Sequence, residues 1–87
     1  MRLEAGLAAV LRRIADDKLA LYNDVWREGR PPLSRPRFLA RIRLESIVVH
    51  ADGAATMYFH DGGLFLGHVV EVRIGSRGAI TETGLAG

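Results

Sequence analysis

Five side chains in the second half of the chain have the chemistry to bind or transform a ligand: His50, Asp52, His60, Asp61 and His68. Three imidazoles and two carboxylates are a possible donor set for zinc or a similar ion. The densest stretch is 59–68, FHDGGLFLGH. There Asp61 and His68 could act as a general base and the group that orients it, the core of a small hydrolase. Such a pair needs a nucleophile. Ser34, Ser46 and Ser76 read as a helix cap, a strand residue and a turn residue, so none supplies it. The glycines invite a phosphate-loop reading, but no helix with Lys-Ser/Thr follows them. The plainer role for Asp61-Gly62-Gly63 is a turn, with the carboxylate capping backbone N–H groups two residues on.

The elements around these residues decide between the readings. Residues 3–26 carry Leu3, Leu7, Val10, Leu11, Ile14, Leu21 and Val25 at helical spacing, with Leu19, Tyr22 and Trp26 widening the stripe. Asp16-Asp17-Lys18 interrupts it, which leaves one long helix or two abutting ones. Gly29 is a fitting residue just past the end, and Pro31-Pro32 forbid continuation. Ser34 is placed to cap a second, short helix over about 35–42, with Pro36 in its first turn.

From Leu44 the period becomes two. LESIVVH and ATMYFH flank ADG as a hairpin. Pairing His50 with Ala54 sets 48 opposite 56, 46 opposite 58 and 44 opposite 60. Ile47, Val49, Ala55, Met57 and Phe59 then share the expected core face. Ser46, Val48, His50, Thr56, Tyr58 and His60 share the other. A third strand is expected over about 66–74, with Leu66, His68, Val70, Val72 and Ile74 facing inward. AITETGLAG either adds a short edge strand or trails off. The expected fold is α+β, a single domain over 1–87. A long, possibly broken N-terminal helix and a short second helix precede an antiparallel meander of three or four strands, one face packed on the helices.

This register separates His50 from His60 along the first hairpin, since each residue rises about 3.3 Å. It also sends His60 and His68 to opposite faces, so no metal and no cofactor is expected. Tyr22 and Trp26, four apart on one helix side, fit core packing, or an interface anchor together with Tyr58 and His60 on the open sheet face.

In these places the chain resembles an uncharacterised bacterial domain family. The matching pieces are LYNDVWR (21–27), Ser34 followed by Phe38, LESIVVHADG (44–53), YFHDGGLFLGH (58–68) and the closing LAG, over about residues 20–87. Members of that family often carry an acidic or aromatic residue at the positions of Gly63 and Leu66. The resemblance implies an α+β fold and a bacterial origin, and brings no biochemical activity.

Composition bounds the rest. The 87 residues include no cysteine, so there is no disulfide framework and no thiolate metal site. No apolar run nears the roughly 20 residues that span a bilayer. Charges at Arg12, Arg13, Asp16 and Asp17 argue against a signal peptide, and the expected location is the cytoplasm. Residues 1–43 hold ten Lys/Arg against five Asp/Glu, and 44–87 hold two against five. Six of the arginines lie in 27–43, which makes nucleic-acid binding through Arg35, Arg37, Arg41 and Arg43 the leading alternative.

The function expected is a small cytoplasmic bacterial protein-interaction module without catalysis. An inhibitor or immunity-type protein, an accessory subunit and a bare dimeric scaffold stay open. The expected partner is another protein, with self-association through surplus apolar helix surface around Leu3, Leu7, Val10 and Leu11.

Overall fold

In the computed structural model, which describes residues 6–86, the chain begins with helix α1 (Gly6–Leu21). The charged group at 16–18 does not break it. The change comes at Tyr22–Trp26, which widens into a π-turn closed by Arg27 N–H on the Tyr22 carbonyl, 2.9 Å. Two consecutive residues in the left-handed region, Glu28 and Gly29, then reverse the chain before the prolines. The returning segment is pinned by Asn23. Its carboxamide accepts from Leu33 N–H at 2.9 Å and donates to the Leu33 carbonyl at 3.1 Å.

Helix α2 (Arg35–Arg41) starts at the expected cap, where the Ser34 hydroxyl accepts from Arg37 N–H. Strands β1 (Arg43–Val49), β2 (Ala55–His60), β3 (Val69–Ile74) and β4 (Ile80–Ala86) follow as an antiparallel meander in that spatial order. The C-terminal segment therefore forms a full fourth strand. Helix α1 lies over the β3–β4 half of the sheet. It is tied there by the Thr83 hydroxyl, which donates to the Asp17 carboxylate at 2.6 Å.

The core holds Val10, Ile14, Tyr22 and Phe38 from the helical half, Met57, Phe59, Val70, Val72 and Ile74 from the sheet, and Leu64 and Phe65 from the turn between β2 and β3. Four expectations are corrected. Leu44 pairs with Phe59 rather than residue 60, because a bulge at Glu45 shifts the register. Ile47 and Val49 are on the core-side face but exposed, since β1 is an edge strand and lies outside the helical cover. Leu66 is no strand residue. It sits in the turn in the left-handed region (φ 56°) and is exposed. Val10 is fully buried and Leu11 packs against the core, so of the expected surplus helix surface Leu7 alone stays open; Leu3 lies outside the described residues.

Candidate interaction surface

The 61–68 turn is built inward around one carboxylate. Asp61 is 2% exposed. One of its oxygens accepts from Gly63 N–H, and the other accepts from Phe65 N–H and Gly67 N–H, all at 2.9 Å. Burial pushes this carboxyl up, but the three backbone donors outweigh it, with a smaller contribution from His60. The net result lies below the ordinary aspartate value. His68 turns away from Asp61. Its Nδ1 lies 2.7 Å from the Phe65 carbonyl, and its ring meets Trp26 edge-on at 5.6 Å. Phe65 enters the core between Tyr22, Trp26 and Phe38, with ring centroids 5.7–6.3 Å apart.

Asp61 and His68 are thus brought into one turn but not into a pair. Three of the carboxylate's roughly four acceptor positions hold backbone donors, and the side chain is buried at 2% exposure, which leaves it poorly placed to take a proton from a substrate. The other histidines are also engaged locally. His60 is exposed and its Nδ1 accepts from Gly62 N–H at 3.0 Å; the His50 ring lies 3.0 Å from the Thr56 hydroxyl.

Tyr22, named above as a partner-binding candidate, lies in the core at 2% exposure. Trp26 is half-buried against Phe65 and His68. Tyr58 is half-buried on the open sheet face, between Ser46 of β1 and Glu71 of β3. That face forms a shallow groove lined by Glu71 and Arg73, which pair at 2.9 Å, and Arg73 also reaches Glu82 outside it at 3.5 Å.

Three of the arginines of 27–43 are engaged by the chain's own groups. Arg35 turns to α1, pairing with Asp16 at 2.7 Å and donating to the Arg12 carbonyl. Arg41 donates to the Gly62 carbonyl at 2.7 Å, and Arg27 to the Asn23 and Arg30 carbonyls. Arg37 is exposed on α2, and Arg43 stands in the sheet opposite His60.

Leu7, Val25 and Leu66 are exposed singly, and β1 is exposed along its whole length. All seven of its residues are exposed, including Leu44 (41%), Ile47 (42%), Val48 (44%) and Val49 (56%). Leu44, Ile47 and Val49 share the face on which Phe59, Met57 and Ala55 of β2 are buried, so the core side of the sheet runs out past its cover. Sequence alternation marked the faces correctly. It carried no signal for how far the helices reach, nor for the Asn23 clamp.

These features define a small α+β domain: two helices on part of a four-stranded antiparallel meander, its polar motif residues bound to its own backbone. The chain belongs to the family DUF2262, described as an uncharacterised protein conserved in bacteria, whose model matches residues 3–85. No curated protein and no solved structure matches it. No helix among the described residues is long and apolar enough to cross a membrane.

Proposed function

We propose that this domain is a protein-interaction module without catalysis of its own, and that it docks through β1 and the uncovered strip beside it. One observation carries the reading. An edge strand with four half-exposed aliphatic residues and an unpaired backbone is a template for another strand. The role suits an inhibitor or immunity-type protein, or an accessory subunit, in a bacterial cytoplasm. The buried, backbone-bound Asp61 carboxylate speaks against the hydrolase reading, and the internal partners of Arg27, Arg35 and Arg41 speak against the nucleic-acid one.

Site-specific photocrosslinking in cells tests it. A crosslinker at Val48 should give discrete protein adducts, while one at Arg77, in the turn between β3 and β4, should not. Equal labelling at both positions, or none at Val48, would sink the docking role of β1. A mobility shift with nucleic acid that persists at low salt and weakens steeply with added salt would favour the alternative instead.

A further inference from the structure

The two edges of the sheet are not equivalent. On β4, Glu82 and Gly84 interrupt the apolar pattern, the register shifts beside Ile80, and α1 is tied across it through Asp17 and Thr83. Beyond its bulge at Glu45, β1 presents Ser46-Ile47-Val48-Val49 with no proline and no charge. Charges, prolines, bulges and covering helices are how natural sheets keep edges apart. From 46 to 49 the described residues supply none of them.

The direction of the free backbone groups follows from the hairpin. His50 N–H bonds the Ala54 carbonyl at 2.8 Å, and Val48 stands opposite Thr56. In an antiparallel ladder the direction alternates. Residues 46, 48 and 50 therefore point their N–H and C=O groups at β2, and Ile47 and Val49 point theirs outward. A second β1, antiparallel and related by a two-fold axis at Val48, brings Ile47 of each copy opposite Val49 of the other. That register makes four backbone hydrogen bonds. It gathers two isoleucines and two valines on the core-side face and stacks Val48 on Val48 on the open face, with Ser46 opposite His50. Of the two neighbouring in-phase registers, one centred on Val49 would set Ile47 against Ala51 in the turn, and one centred on Ile47 would set Val49 against Glu45 in the bulge. The latter loses both the ladder and the apolar match.

We infer that β1 is the contact between two copies of this chain, paired antiparallel about Val48 into a continuous eight-stranded sheet. The inference rests on the docking role proposed for β1 and names its occupant. A strand that is apolar on both faces and uncharged over 46–49 is complementary to itself, whereas an acidic or basic partner would find no charge to read there. A single short edge is a small contact beside stable interfaces, which bury roughly 1,200 Å² or more, and the dimer is expected to be weak and concentration-dependent.

Sedimentation equilibrium on the full chain, from about 10 μM to about 1 mM, reads this directly. The expected result is a reversible monomer–dimer equilibrium. Val48→Lys and Val48→Glu, each setting like charges at the axis, should each weaken it by about tenfold or more, and an equimolar mixture of the two should restore it. Val49→Pro removes an outward N–H while leaving the bonds to β2, so it should abolish the dimer with an unchanged circular dichroism spectrum. A monomer across the whole range overturns the inference. So does a dimer indifferent to these variants, or one lost on Leu7→Lys instead. Photocrosslinks from Val48 to a different protein, with the chain itself monomeric, would retain β1 as a docking strand and remove the second copy as its occupant.

Discussion

Asp61 and Gly62 hold adjoining positions for unrelated physical reasons, and each has its own consequence. A Cβ on Gly62 would collide with the Arg41 backbone oxygen and lie 2.8 Å from the Arg41 Cβ, and φ is +62° besides. Gly63 is equally left-handed (φ +82°) but has nothing within 4 Å. Gly63→Ala should therefore cost about 1–2 kcal/mol, the conformational term alone, and Gly62→Ala clearly more, as read from urea denaturation midpoints. For Asp61, a carboxyl lowered in the folded state adds stability that is complete above its ordinary value of 3.8 and is lost as pH falls through the lower folded value. Asp61→Asn, with a single acceptor oxygen, leaves at least one backbone donor unpaired. It should cost about 1–3 kcal/mol at neutral pH and flatten the acid limb of the stability profile. A parallel acid limb in wild type and variant would show that Asp61 is not its source. The sequence exposed the capping chemistry of this stretch because Asp-Gly-Gly is a local signal. That His68 bonds the Phe65 carbonyl rather than Asp61 depends on where Trp26 lies, and nothing within ten residues of His68 encodes that.

Among the elements, the 22–33 segment is where local patterning says least. Helix periodicity carried through Trp26, whereas the backbone widens at Tyr22, which lets Tyr22 and Trp26 both reach Phe65. π-turns of this kind re-aim side chains without ending a helix. Asn23 then fastens the returning chain by two bonds. Asn23→Ala should cost about 1–2 kcal/mol and raise amide exchange at Leu33 more than in β2 or β3. If exchange at Leu33 is unchanged, the clamp carries no weight. On β1, proline scanning should show a parity. Val48→Pro breaks a bond to β2 and destabilises the hairpin, while Val49→Pro is tolerated. Thermal melts of the two variants compare them directly. Strand parity was legible from the alternation of LESIVVH and ATMYFH. The Glu45 bulge was not, because one extra residue leaves a period-two pattern intact on both sides of it.

Across the described residues, the helical cover is narrower than the sheet, with α1 over β3 and β4 while β1 stays exposed. Fold class and element order followed from periodicity, since the switch from a period near 3.6 to a period of two falls within a few residues of Leu44. The partial cover was hidden because apolar residues that face a helix and apolar residues that face solvent read alike.

The Thr83 hydroxyl on Asp17 joins residues 66 apart in sequence, whereas each strand of the sheet pairs with the one before it in the chain. Contacts that close long loops are reached late when short ones are available, because the closure entropy comes before their reward. The hairpins should therefore assemble first and α1 dock onto them afterwards. Thr83→Val, which removes the long-range bond at nearly constant volume, should accelerate unfolding and leave the refolding rate close to that of the wild type in stopped-flow measurements. A variant that refolds slowly and unfolds normally would put the N-terminal helix in the folding nucleus.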